Sequence, residues 1–232
     1  MTEWRSGKRI VVFDLDDTLY PEIEYVRSGF RTVAFELEAR FDVHAEEAFA
    51  LLWRALQVHG RGKTFDRVLE ELGVYSRSAV RSLVDSYRSH EPQIGLPAES
   101  RGVLERLADR PLYLVSDGHK SVQARKLAAL GIEACFRHCY LTNRYGVAHQ
   151  KPSPHVFQLL VRRESCDPGD VVYVGDDPHK DFCGIRPLGF RTLRVRSGRH
   201  AHVEVAPERD AEASVASLAR VPEQIERWEQ TP

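Results

Sequence analysis

Along the chain, short continuous apolar runs alternate with longer stretches in which apolar residues recur every third or fourth position. Three runs stand out: residues 9–13 (RIVVF), 111–115 (PLYLV) and 170–174 (DVVYV). Each is β-branched or aromatic, and each gives way to polar residues that include aspartate. Runs of this length and character predict parallel strands buried on both faces. Residues 191–195 and 139–141 are weaker strand candidates.

Helical patterns lie between the runs. Residues 100–108 precede the second run, and residues 121–130 follow it, with Gly131 placed as a stop. Ser153-Pro154 opens another helix, with Ser as N-cap, Pro at the first helical position, and Val156, Phe157, Leu159 and Leu160 as its apolar stripe. Residues 197–212 read as loop, 214–220 as a last short edge element, and 221–229 as a terminal helix. Alternation of strand and helix predicts an α/β fold with a mostly parallel sheet.

One stretch breaks the alternation. Ile23, Val26, Phe30, Val33, Leu37 and Phe41 recur at helical spacing, as do Ala48, Phe49, Leu52, Ala55 and Leu56. Val68, Leu69 and Leu72 mark a third helix, and Val80, Leu83, Val84 and Tyr87 a fourth. Four helices without a strand predict an inserted all-helical domain over 21–90, with residues 1–20 and 91–232 forming the α/β core. The connections at Tyr20-Pro21 and across 91–98, which holds Pro92, Gly95 and Pro97, are placed as hinges.

Composition narrows the function class. Charged residues make up 29% of the 232, yet the formal net charge is -1, so no global basic field exists to attract nucleic acid. The N-terminal apolar run, residues 10–13, is too short for a secretory signal or a membrane span, which predicts a cytoplasmic protein with no membrane partner. Cys135, Cys139, Cys166 and Cys183 match no disulfide framework or zinc spacing and are expected to be reduced and mostly buried. Trp4, Trp53 and Trp228 show no stacking arrangement.

Ligands of open α/β sheets bind at the carboxyl ends of strands, and there the chemistry gathers. Asp14 and Asp16 stand two apart in Asp14-Leu15-Asp16-Asp17-Thr18, directly after the first run. Carboxylates so close repel unless a cation or a shared proton relieves them, and a hard divalent cation also lets an anionic nucleophile approach a phosphate. Ser116-Asp117-Gly118 follows the second run, offering a hydroxyl and backbone N–H groups at a helix entrance as a phosphate cradle. Lys151 precedes the Ser153-Pro154 helix. Gly175-Asp176-Asp177-Pro178-His179-Lys180-Asp181 follows the third run and adds carboxylates. Alone, each has a plainer reading: an acidic turn, a helix N-cap, a surface lysine, an acidic capping loop. Together and in this order they point to phosphoryl chemistry.

This set resembles the haloacid dehalogenase (HAD) superfamily of aspartate-nucleophile hydrolases, over residues 9–218. FDLDDTLY looks like that family's first motif, the Ser116 cluster its second, Lys151 its third and GDDPHKD its fourth. The resemblance implies a Rossmann-like three-layer core with a helical C1-type cap inserted after the first motif; residues 118–150 are too short for a C2-type cap. It implies a phosphoric monoester hydrolase acting on a small phosphorylated metabolite. Asp14 would be the nucleophile and Asp16 the general acid and base. Ser116, with Asp117 beside it, and Lys151 would hold the phosphoryl group. Mg2+ would be held by Asp14, the backbone carbonyl of Asp16, and Asp176, with Asp181 supporting it through water or through a residue that holds it. Asp177 and Thr18 would be helpers. The dehalogenases that give the superfamily its name lack the second aspartate, so Asp16 favours phosphate chemistry.

Rival readings are a phosphosugar mutase on the same core, a signalling receiver domain, and a non-catalytic phosphate-binding protein. The helical insertion argues against the receiver, and the full motif set against the relic. Substrate choice is expected in the cap, with Arg61 and Lys63 of Gly60-Arg61-Gly62-Lys63-Thr64-Phe65 the foremost candidates, and Arg27 and Arg54 behind them. A solvated turn with Phe65 in the cap core is the alternative. His119 and His179 are expected to face solvent.

Overall fold

A computed structural model describes residues 8–230. In chain order the elements are β1 (Ile10–Phe13), α1 (Glu22–Arg40), α2 (Ala45–His59), α3 (Thr64–Glu71), α4 (Arg77–Ser89), α5 (Ala98–Arg106) and β2 (Leu112–Ser116). There follow α6 (Lys120–Leu130), β3 (His138–Leu141), α7 (His155–Glu164), β4 (Val171–Gly175), β5 (Arg191–Val195), β6 (Ala213–Val215) and α8 (Val221–Gln230). These elements form two compact units, one of residues 23–94 and the other of the described residues before and after that stretch.

The larger unit is built on one six-stranded sheet in the order β3-β2-β1-β4-β5-β6. All neighbours are parallel, and β1 sits centrally, with Val11 opposite both Leu112 and Val172. Every residue of β1, β2 and β4 is buried, as their unbroken apolar runs require. Helices flank the sheet. Ile10, Val12, Tyr113, Val115, Val171 and Tyr173 on one face share a core with Val156, Phe157 and Leu160 of α7. Alternation turns Val11, Phe13, Leu112 and Leu114 to the other face.

The smaller unit holds α1 to α4 around its own core. Val26, Phe30, Val33 and Leu37 of α1 meet Leu52, Leu69 and Leu83 of the other three helices. Phe65 is part of this packing, with ring centroids 6.2 Å from Phe30 and 5.7 Å from Tyr87.

Several local expectations are corrected. The division between units falls after Glu22 and Ile94, not at 20 and 90, because 91–94 pack with the helices; the Gln93 backbone N–H donates to Ser28 Oγ at 2.8 Å. The last edge element is a three-residue strand, 213–215, and residues 218–220 form a 3-10 turn. Pro154, not Ser153, is the residue preceding α7; the Ser153 hydroxyl accepts from the His155 backbone N–H at 3.4 Å. The cysteines are not mostly buried: Cys135 is exposed and the others are half-buried, all as free thiols. Trp53 stacks on Phe49, and Arg191 covers Trp228, so two tryptophans do make ring contacts. Trp4 lies outside the described residues. Among the described residues no helix is long and apolar enough to cross a membrane.

Candidate active site

The chain leaves β1 toward β2 on one side and returns to β4 on the other. Such a reversal opens a crevice at the carboxyl ends of the two central strands. Asp14 lies at the end of β1, its backbone N–H donating to Val174 O at 2.9 Å. Asp176 directly follows β4. Two distant stretches of sequence thereby deliver buried carboxylates to one spot.

Lys151 joins them. Its Nζ lies 2.8 Å from Asp14 Oδ1 and 2.7 Å from Asp181 Oδ1, and donates to Tyr173 Oη at 2.9 Å. Burial pushes the Asp14 carboxyl up to about 6, against the pull of Lys151. Burial also acts against Asp181, but Lys151 and Lys180 hold it below the usual carboxylate range. Burial disfavours the Lys151 ammonium, yet Asp14 and Asp181 keep it charged far above its ordinary range. Asp181 Oδ2 in turn accepts from the Asp177 backbone N–H at 2.9 Å, which tethers the loop after β4. That closure depends on Gly175, where a Cβ would stand 2.5 Å from Asp181 Oδ2.

Asp176 is the carboxyl least compensated. Burial, then the charges of Asp14 and Asp181, push it up to about 9. Thr18 Oγ1 donates to its Oδ1 at 3.4 Å, and His200 Nδ1 lies 2.8 Å from its Oδ2. Asp14, Asp176 and Asp181 each offer an oxygen, and these oxygens all lie within 4.8 Å of one another. Three buried carboxyls with this mutual repulsion, one driven to hold a proton, suit a hard divalent cation with oxygen ligands. The site residues therefore fit Mg2+.

Asp16 is turned elsewhere. Its Oδ1 accepts from Lys126 Nζ and from Tyr20 Oη, both at 2.7 Å, and its Oδ2 from Gln123 Nε2 at 2.8 Å. Its side chain is thus engaged, and only its backbone carbonyl remains as the expected metal contact. Burial opposes its charge, but Lys126 above all, with Tyr20 and Gln123, holds its carboxyl below the usual range. Ser116 is the last residue of β2, 1% exposed, and its Oγ accepts from Gln123 Nε2 at 2.6 Å. The Asp117 carboxylate points to structure: its Oδ1 accepts from Thr142 Oγ1 at 2.6 Å and from the Lys151 backbone N–H at 3.1 Å. It aligns the loop that carries Lys151, so only its backbone remains for the expected phosphate contact.

Sequence reasoning missed Tyr20, Gln123, Lys126, Tyr173 and His200. For Gln123 and Lys126 a signal existed. With Leu127 and Leu130 they fall at helical spacing on one stripe of α6, where polar residues are out of place. His200 comes from a loop with no pattern. It is anchored by Arg194, a fully buried guanidinium that donates to His200 O at 2.7 Å, Val203 O at 2.8 Å and Asp210 Oδ2 at 3.0 Å.

In the helical unit, Arg61 and Lys63 lie on the exposed turn before α3. Arg54 pairs with Glu71. Arg27 lines a cavity of about 520 Å3 with Ser28, Arg31, Thr32 and His90, and neither Arg61 nor Lys63 contributes to it. His119 and His179 are exposed, as expected.

A family model described as haloacid dehalogenase-like hydrolase matches residues 8–189. A glyceraldehyde 3-phosphate phosphatase of Methanocaldococcus jannaschii is 29% identical over 203 residues, covering 84% of this chain and 87% of that protein. A phosphoserine phosphatase of Thermus thermophilus is 26% identical over 236 residues, covering 86% and 94%. Among solved structures, a putative HAD-hydrolase from Bacillus subtilis, bound to magnesium, superposes with a TM-score of 0.69 at 20% identity, covering 94% of this chain and 98% of that one. The match over residues 8–189, a span that includes the strand-end carboxylates and the lysine that the fold draws together, makes this protein a member of the haloacid dehalogenase-like hydrolase family.

Proposed function

We propose that the chain is a magnesium-dependent phosphatase of small phosphomonoesters that works through an aspartyl-phosphate on Asp14. The observation that carries this reading is the buried Asp14–Lys151 pair at 2.8 Å, set among Asp176 and Asp181 at the ends of β1 and β4. The phosphatase names of the curated relatives support it. In this reading the unit of residues 23–94 is the C1-type cap and the sheet unit is the catalytic core.

Asp14, fixed by its backbone bond to β4, attacks phosphorus, and the bond to the leaving oxygen breaks. Against burial, Lys126 holds Asp16 ionised in the free enzyme, so Asp16 would take up a proton with the substrate and pass it to that oxygen. A water then attacks the aspartyl-phosphate and yields its proton to Asp16, which releases it as orthophosphate leaves, and both carboxyls return to their starting ionised forms. Lys151 and Ser116 hold the phosphoryl oxygens as charge shifts among them. Asp14, Asp176 and the Asp16 carbonyl would hold magnesium, with Asp181 buttressing the set. The bound ion supplies positive charge that offsets repulsion between the Asp14 carboxylate and the phosphate.

The test is phosphate release from an aryl phosphate, with magnesium and with EDTA, for wild type and Asp14→Asn. Release is expected with magnesium, with loss of more than about a thousandfold in the variant. Release undiminished by Asp14→Asn would end the proposal. A panel including glyceraldehyde 3-phosphate and phosphoserine, read for phosphate and for isomerised product, then separates phosphatase from mutase.

A further inference from the structure

Helix α6 turns Gln123 and Lys126 inward, three residues apart and so on one face. They are 1% and 2% exposed. Burying an amide or an ammonium is costly unless each finds partners. Here both find the same carboxylate, Lys126 at Asp16 Oδ1 (2.7 Å) and Gln123 at Asp16 Oδ2 (2.8 Å). The Gln123 amide nitrogen also donates to Ser116 Oγ at 2.6 Å. One side chain therefore spans the residue that would transfer the proton and the residue that would hold the phosphate. Lys126 also lies 3.7 Å from Oε1 of Glu22, a second carboxylate of the same unit.

A general acid acts only within about 2.6–3.2 Å of the atom it protonates. An aspartate left to itself has three staggered χ1 wells, and only some aim its carboxyl correctly. We propose that Gln123 and Lys126 are positioning residues that lock the Asp16 carboxylate in register with Ser116, so that proton transfer to the leaving oxygen and from the incoming water occurs in one geometry. The proposal rests on the reading of Asp16 as the acid and base.

Leaving-group chemistry separates positioning from a merely structural role. A nitrophenolate departs as a stable anion, without a proton. An alkoxide needs one. The value of kcat/KM covers events up to departure of the leaving group, whereas kcat also covers hydrolysis of the aspartyl-phosphate, which needs Asp16 as base.

The experiment compares kcat/KM on p-nitrophenyl phosphate and on glycerol phosphate for wild type, Asp16→Asn, Lys126→Met, Lys126→Arg and Gln123→Leu, with thermal unfolding as the check on folding. Asp16→Asn and Lys126→Met are expected to lose about a hundredfold on the alkyl ester and under about tenfold on the aryl ester. Both should show a burst of nitrophenolate. Gln123→Leu should show the same selectivity at about tenfold, and Lys126→Arg should recover most of the alkyl activity. If Asp16→Asn is selective but Lys126→Met and Gln123→Leu lose equally on both esters, the positioning role is overturned and the phosphatase reading stands. If Asp16→Asn is itself unselective, the assignment of Asp16 fails, and positioning with it. Should Lys126→Met not fold, the neutral, near-isosteric Gln123→Leu decides.

Discussion

Lys151 has two carboxylates and a phenol around its Nζ and almost no water. Replacing it by Met leaves Asp14 and Asp181 buried together without their cation. Breaking a buried pair in this way costs about 3–5 kcal/mol, so Lys151→Met should lower the urea midpoint by that equivalent as well as ending phosphate release. The four motifs were legible because carboxylates and a hydroxyl directly after buried strands have few other uses. The partners that hold them were not. Gln123 and Lys126 look like ordinary helix surface until the helix is docked, and His200 reaches Asp176 only because Arg194 folds a patternless loop.

At the level of elements, the loop after β4 and the loop before α7, already joined by Lys151 and Asp181, also meet at a crowded point. A Cβ on Gly184 would fall 1.6 Å from Pro152 O, a backbone atom that cannot step aside. Pro152 follows Lys151, so a side chain at 184 pushes on the segment that aims the ammonium. Gly184→Ala is expected to destabilise the protein by roughly 1–3 kcal/mol and to reduce kcat more than that loss of folded protein explains, checked by unfolding and steady-state kinetics on the same preparation. Strands β1, β2 and β4 could be read from sequence because burial on both faces leaves an unmixed apolar run. Strand β6 was legible only as a short edge element over 214–220, because its half-exposed edge imposes no pattern that fixes its bounds. The start of α7 was misread by one residue, since Ser-Pro satisfies helix-start chemistry in two registers.

For the whole molecule, the carboxyl cluster links stability to pH and to cation. Asp176 holds its proton up to about 9 in the folded chain but releases it near 4 when unfolded. The folded state therefore binds the extra proton between those values. Metal-free protein should be most stable at the acid end of that window and lose this contribution as pH rises toward 9. In the magnesium-dependent reading the ion needs the deprotonated carboxylate, so its stabilisation should grow in the same direction. At a hundred times the dissociation constant it amounts to about 2.7 kcal/mol. Melting curves with EDTA and with magnesium from pH 5 to 9 test both trends, and Asp176→Asn should flatten them. The sheet order itself was only partly legible: alternation predicts parallel strands, but nothing local in the sequence states that β1 lies between β2 and β4.

That central place has a consequence for synthesis on the ribosome. The first strand made is Ile10–Phe13, yet its two neighbours are Leu112–Ser116 and Val171–Gly175. At about 5–20 residues per second, the strand that bears Asp14 waits many seconds for its second partner. The helices of residues 23–94, whose core contacts lie within that span, emerge meanwhile and have what they need to pack. Asp14 of the nascent chain thus stays without its partners until Asp176 has left the exit tunnel, when strand, lysine and carboxylates can close together.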